Sequence, residues 1–161
     1  MLKNEERTFI AIKPDAVKRG LIGKIIAKIE DKGYKIVAMK MLQVTDELAA
    51  KHYEEHIGKS FYQALINFIT SGPIIAMVLQ GENAIEGVRK FMGKTNPDEA
   101  EVGSIRGDFA QVKRFNAMHG SDSKESAERE INLYFKPEDI CDNWKTMLEL
   151  LMEYEQEQLS K

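Results

Sequence analysis

The sequence predicts an α+β domain in βαββαβ order, an antiparallel sheet with helices packed on one face. Three observations carry that reading. Apolar runs rich in β-formers stand at residues 8–12, 34–44 and 74–79. Between them, apolar residues recur at the three- and four-residue spacing of a helix face. Turn formers mark the junctions, at Gly33, Gly58 and Ser71-Gly72-Pro73.

The elements follow in order. Thr8-Phe9-Ile10-Ala11-Ile12 reads as a core strand stopped by a turn at Lys13-Pro14-Asp15. A helix from Leu21 gathers Ile22, Ile25, Ile26 and Ile29 on one face and ends at Gly33, a fitting C-cap. Residues 34–44 form a second, longer strand. Thr45-Asp46-Glu47 opens a helix that runs past Tyr53 to about His56, and 61–69 is helical again with Phe61, Leu65 and Phe68 on one side. Ile74-Ile75-Ala76-Met77-Val78-Leu79 is the most strand-like run of the chain. A helix over 83–92 presents Ile85, Val88, Phe91 and Met92. Residues 93–118 read as a long loop with a short strand near its end, and a loop of that length in a compact domain usually carries function.

After it, Asp122, Ser123 and Glu125 mark a helix start, with Asp122 and Glu125 spaced as a capping box and Ala127, Ile131 and Phe135 on one face. Pro137-Glu138-Asp139 begins a last helix, whose stripe of Ile140, Trp144, Met147, Leu148, Leu151 and Met152 is expected to face the core. Residues 153–161 are expected to be a solvated tail. The sum is a ferredoxin-like layout in a single domain 1–161, with a core at 5–140 and a C-terminal amphipathic extension at 137–161.

Composition narrows the function. Hydrophobic residues make up 43% and charged residues 30% of the 161, a globular balance and not a disordered one. That length buries a core without disulfides or metals. A net charge of −3 argues against a general nucleic-acid binder. No apolar run is long enough to span a membrane. The start, Met1-Leu2-Lys3-Asn4-Glu5-Glu6-Arg7, lacks a signal-peptide core, so a cytoplasmic location is expected. Cys141 is alone, which rules out an internal disulfide and argues against a zinc site.

The chemistry centres on one imidazole. There is no Gly-x-x-x-x-Gly-Lys-Ser/Thr loop, no Gly-x-Gly-x-x-Gly and no nucleophile elbow. Any phosphate would be handled by side chains, with Lys13, Arg89, Thr95 and Arg106 as candidates. His119 sits before a helix start, where a dipole attracts anions. A neutral imidazole there is a candidate nucleophile toward phosphorus. Taken alone, it is more often an ordinary structural or surface histidine beside a turn glycine.

Six segments change that balance. They are Thr8-Phe9-Ile10-Ala11-Ile12-Lys13-Pro14-Asp15-Ala16-Val17, His52-Tyr53, Ser71-Gly72-Pro73, Gly93-Lys94-Thr95-Asn96-Pro97, Gly103-Ser104-Ile105-Arg106-Gly107-Asp108-Phe109 and Asn116-Ala117-Met118-His119-Gly120-Ser121-Asp122-Ser123. Together they closely resemble the nucleoside diphosphate kinase family, over about residues 5 to 140 and in order.

The resemblance implies a ping-pong transfer in which His119 takes the terminal phosphate of a nucleoside triphosphate and passes it to a diphosphate. Glu130, helped by Ser121, matches the carboxylate that orients the imidazole. Lys13, Tyr53, Arg89, Thr95, Arg106 and Asn116 match the nucleotide contacts. The arginines would stabilise phosphate charge, Tyr53 would bond at the reaction centre, and Lys13 with Asn116 would hold the sugar hydroxyls. Phe61 matches the aromatic on which any base stacks. Mg²⁺ would bridge the phosphates, with Asp122 and Glu55 as partners through water.

Lys59 stands where many members carry Arg, replacing a bidentate grip by a point charge. His56 is as compatible with a surface role as with a phosphate contact. The family also forms dimers that assemble into tetramers or hexamers, with Pro97 near one such contact. A second class stays open beside the kinase: a noncatalytic nucleotide-binding or partner-binding domain of the same fold. Either would be expected to need neither membrane nor nucleic acid.

Overall fold

β1 (Glu5–Ile12) explains the architecture, because its apolar run leaves no polar face. Phe9 and Ala11 point into one hydrophobic cluster, and Ile10 and Ile12 into another on the opposite side of the sheet. A computed structural model describes residues 4–161; Met1-Leu2-Lys3, part of the polar start read above, lies outside it.

Four strands form one antiparallel sheet. β2 (Lys35–Gln43) pairs with β3 (Pro73–Glu82), β3 with β1, and β1 with the three-residue β4 (Met118–Gly120), giving the order β2-β3-β1-β4. A bulge between Ile36 and Ala38 breaks the β2–β3 register. This is the expected ferredoxin-like order, with one correction. Helices cover both faces of the sheet, not one, as the uninterrupted apolar runs of β1 and β3 require.

Four α-helices precede β3. The turn expected at Lys13-Pro14-Asp15 opens a short helix, α1 (Pro14–Lys18), with proline in its first turn. α2 (Ile22–Lys32) ends at Gly33, whose φ of 94° is the left-handed cap expected. α3 (Asp46–His52) is capped by the Thr45 hydroxyl and ends sooner than expected, a 3₁₀ turn at Glu54–His56 taking over. α4 (Tyr62–Ile69) completes the connection.

The remaining helices frame the site. α5 (Ala84–Met92) precedes the segment read as a loop, which holds a 3₁₀ turn at Pro97–Glu99 and a short helix, α6 (Ile105–Phe109), capped by Ser104. α7 (Lys124–Tyr134) starts one residue later than the capping-box spacing suggests. Its cap is Ser123, whose hydroxyl accepts from Ser126 N. Ala49, Ile66, Ile69 and Tyr134 bring α3, α4 and α7 onto one face; Ile25, Ile29, Val88, Met92 and Ile105 bring α2, α5 and α6 onto the other.

The C-terminal expectation fails. Pro137–Asp139 is a single 3₁₀ turn, and α8 begins only at Met147, running to Leu159. Ile140 packs on the core, but no residue of α8 is buried. The stripe is apolar without being core-facing, and the stretch expected to be a solvated tail is helical to Leu159. Among the described residues, no helix is long and apolar enough to cross a membrane.

Candidate active site

His119 reaches the site through a strained corner. Ala117 has a φ of 71°, and Met118 N donates to Asn116 O at 2.8 Å, so the chain makes a γ-turn of the rare positive-φ kind. The corner is tied at both its polar groups. Ala117 N donates to the Asp15 carboxylate at 3.0 Å, and Lys13 N donates to Ala117 O at 2.9 Å. Strand periodicity then sends Met118 into the core with Ile12, and His119 to the opposite face, in register with Ala11. At buried Gly120, a Cβ would fall 2.6 Å from Met92 Sδ, so the strand fits tightly against α5.

One ring nitrogen of His119 is committed. Its Nε2 bonds Glu130 Oε1, on α7, and its Nδ1 makes no hydrogen bond among the described residues. Glu130 is 3% exposed and is itself held by Ser121 Oγ, which donates at 3.3 Å. His52 lies edge-on to the His119 ring at 4.7 Å, with its Nδ1 3.1 Å from Tyr134 Oη. Burial, then the neighbouring His119, hold the His52 pKa well below its ordinary value, so this ring is neutral. The Tyr53 hydroxyl is pushed up to about 12 by burial and by Glu130, so it remains a proton donor.

These groups open into a cavity of about 850 Å³, within the range of small-ligand sites. Lys13, Arg89 and Arg106 are three of the six lysines and arginines that line it. Arg106, 6% exposed, donates to Met118 O at 2.9 Å and Gly93 O at 3.0 Å, while its Nε is buried without a partner. Arg89 donates to Gly120 O at 3.2 Å. Lys13 Nζ donates to Asn116 Oδ1 at 2.8 Å, and Asn116 Nδ2 to Thr95 O at 3.3 Å. Burial and then Arg106 depress the Lys13 ammonium to about 8; burial and then Arg89 bring Arg106 to about 10, still charged at neutral pH. Positive charge confined beside a low-dielectric wall is a site for anions.

Most of the expected residues meet here. Lys13, Tyr53, Glu55, His56, Phe61, Arg89, Thr95, Arg106, Asn116, His119, Asp122 and Glu130 all line the cavity. Ser121 lies behind it, against Glu130. Lys59 is not in the lining; its Nζ sits 3.2 Å from His56 Nδ1 and 5.7 Å from the Phe61 ring centroid. His52, Leu65, Val112, Lys113, Arg114, Phe115 and Arg129 also line the cavity, without an assigned role in the sequence reading. Lys113 and Arg114 carried a visible signal, as a basic pair in the long segment. His52 carried none beyond its place beside Tyr53.

Two kinds of metal donor are present. Asp122 and Glu55 offer carboxylate oxygens to the cavity, and a hydrogen bond from Ser126 holds the Asp122 carboxyl below its usual value. The denser cluster, His52, His119 and Glu130, has ligand atoms within 4.8 Å of one another. Its imidazoles suit softer ions than Mg²⁺.

Known proteins carry the same pattern. The sequence description of the nucleoside diphosphate kinase family matches residues 6–140. The chain is 64% identical over 138 residues to the nucleoside diphosphate kinase of Methanocaldococcus jannaschii, covering 86% of this chain and 99% of that protein. It is 57% identical over 142 residues to that of Listeria monocytogenes, covering 88% and 97%. The solved structure of the halophilic nucleoside diphosphate kinase from Halobacterium salinarum, in complex with CDP, superposes with a TM-score of 0.88 at 43% identity, covering 92% of this chain and 98% of that one. On the fold, the cavity and these matches, the chain belongs to the nucleoside diphosphate kinase family.

Proposed function

We propose that this protein transfers the terminal phosphate of a nucleoside triphosphate, typically ATP, to a nucleoside diphosphate, with His119 as the carrier. The observation that supports this most is the pairing of His119 Nε2 with buried Glu130, which leaves Nδ1 as the ring's available lone pair in a cationic cavity. In the first half-reaction, Nδ1 attacks the γ-phosphorus. The N–P bond forms, the bond from that phosphorus to the β–γ bridging oxygen breaks, and the diphosphate leaves with the electron pair. The second half-reaction reverses these events on another diphosphate.

The other cavity residues divide the remaining work. Glu130 offsets the positive charge that develops on the ring, and Ser121 fixes Glu130. Arg89 and Arg106 balance the charge spread over the transferring oxygens. Tyr53 donates at the reaction centre. Lys13, Asn116 and Thr95 hold the sugar and phosphates, and the base stacks on Phe61, which is open to the cavity. Lys59, whose ammonium lies 3.2 Å from His56 Nδ1, adds positive charge beside the rim.

The two carboxylates fit a Mg²⁺ ion carried on the nucleotide. Asp122 and Glu55 would hold it through water, and the ion would draw charge from the phosphate oxygens. A cytoplasmic location and a homo-oligomer, dimers building a tetramer or hexamer, complete the reading. β2 is an edge strand that, among the described residues, takes one bond from the C-terminal segment (Cys141 N to Val37 O); its exposed Met39 and Met41 support self-association. The noncatalytic alternative expects a lost nucleophile or arginine; His119, Arg89 and Arg106 are all present, and Lys59 in place of Arg keeps a positive charge.

Intact-protein mass after brief incubation with ATP and Mg²⁺, then with GDP, tests the mechanism. One acid-labile phosphoryl group should appear and then vanish, and His119→Ala should never acquire it. A folded wild type that binds ATP and gains no mass would overturn the proposal.

A further inference from the structure

His52 is a buried imidazole to which the catalytic reading gives no task. It is 6% exposed and packed among the rings of Phe9, Tyr53 and Tyr134. Its Nδ1 lies 3.1 Å from Tyr134 Oη, and its Nε2 has no hydrogen-bond partner among the described residues. The His119 ring meets it edge-on at 4.7 Å, and one ligand atom from each of His52, His119 and Glu130 lies within 4.8 Å of the others. Two imidazoles and a carboxylate are a zinc ligand set, with one coordination position left over. All three residues line the cavity, which provides that open position and the way in.

The surroundings suit a metal as well. A ligating imidazole donates its other N–H to an oxygen, and Tyr134 Oη stands beside His52 Nδ1. Ser121 Oγ holds the Glu130 carboxylate. Tetrahedral zinc spaces its ligand atoms about 3.3 Å apart, so no pair has to close by more than roughly 1.5 Å. His52 and Glu130 are packed in place, whereas the half-buried His119 ring has the cavity in which to turn. Lys13 and Arg129 face the same space and oppose a cation, which keeps the affinity modest and the binding reversible.

We propose that His52, His119 and Glu130 bind one Zn²⁺ ion, and that the ion switches phosphate transfer off through the tautomer of His119. This rests on the reading of His119 as the phosphate carrier and adds its regulation. A neutral imidazole has one N–H and one lone pair. Beside Glu130, the proton is on Nε2 and the lone pair on Nδ1. Zinc takes the Nε2 position and the carboxylate that Nε2 was bonding. The Nε2 proton leaves to solvent and another returns on Nδ1, so the ring stays neutral and nothing is oxidised or reduced. Nδ1 then carries hydrogen where phosphorus must bind. Mg²⁺ does not compete, because it prefers six oxygens and holds its waters.

The test uses the full chain without nucleotide, dialysed against zinc chloride in excess Mg²⁺. One zinc should bind per chain. Ring-nitrogen NMR, simple in a chain with three histidines, should show the His119 proton on Nε2 before zinc and on Nδ1 after it. His52→Gln keeps a polar partner for Tyr134 and removes the imidazole. It should raise the zinc dissociation constant by at least about tenfold, and by the same factor the zinc level that halves phosphoenzyme formation relative to its own zinc-free rate. Cys141→Ser, which removes the exposed thiol, should bind zinc like wild type. Absence of saturable uptake by wild type overturns the proposal. So does a His52→Gln protein that binds as tightly, or a His119 that keeps its Nε2 proton with zinc bound. The wild-type spectra need no variant, so a misfolded His52→Gln leaves the test intact. The carrier reading falls separately, if zinc-free protein gains no phosphoryl group from ATP.

Discussion

Arg106 and Arg89 grip the two carbonyls that flank the nucleophile, Arg106 at Met118 O and Arg89 at Gly120 O. The guanidinium groups proposed to receive phosphate charge therefore also hold β4 in place. Their contributions to folding should differ with burial. Arg106→Ala leaves two carbonyl acceptors unsatisfied beside a void and should cost about 2–4 kcal/mol. Arg89→Ala removes one longer bond and should cost less than about 1 kcal/mol. Urea denaturation of both variants checks the order; equal stabilities would contradict it.

Glu130→Gln keeps the shape behind His119 and removes the charge. The rate of phosphoenzyme formation should fall about a hundredfold, with nucleotide affinity nearly unchanged. Rapid-quench kinetics beside calorimetric binding separates the two. A loss confined to affinity would place Glu130 in binding instead.

Lys13 gives the site a pH dependence of definite sign. Its pKa is depressed to about 8, so the ammonium is charged below that pH and becomes neutral above it. Attraction for an anionic nucleotide should thus weaken as pH rises from 7 to 9, and binding near pH 8 should take up a fraction of a proton. Calorimetry in buffers of different ionisation enthalpy reads that uptake. Lys13→Gln should abolish the step; a step that survives would belong to another group.

Phe61→Ala should weaken adenine, guanine, cytosine and uracil nucleotides by a similar factor, about fivefold to a hundredfold, because every base has a π-face. Competition binding with the four diphosphates checks it. Selective loss of one base would mean hydrogen-bond reading in place of stacking.

What could be read in advance depended on whether a signal was local. The αL cap at Gly33 and the runs that became β1 and β3 are local, and they stand where expected. Asp122 and Ser123 both offer a capping oxygen, and the hydroxyl of Ser123, not the carboxylate of Asp122, accepts from Ser126 N. The short helix α6 has too few residues to display a period, so its stretch looked like loop. An amphipathic stripe states that a helix has a face to cover, not what covers it, which is why α8 was expected on the core. The gathering of the cavity residues was legible only through family-like segments. Lys13, Arg89 and His119 lie far apart in sequence, and spacing alone does not bring them together.

The corner at Ala117 has a consequence for how this site can vary. It is anchored at its N–H and its C=O to residues just beyond β1, so β4 cannot slip. A slip of one residue would trade Met118 for His119, burying the imidazole and exposing a thioether. Changes of length in the 110–115 stretch are therefore absorbed before they reach the nucleophile. That stretch, which carries Val112, Lys113, Arg114 and Phe115 to the cavity rim, is free to be rewritten for different guests while the reacting atom stays where it is.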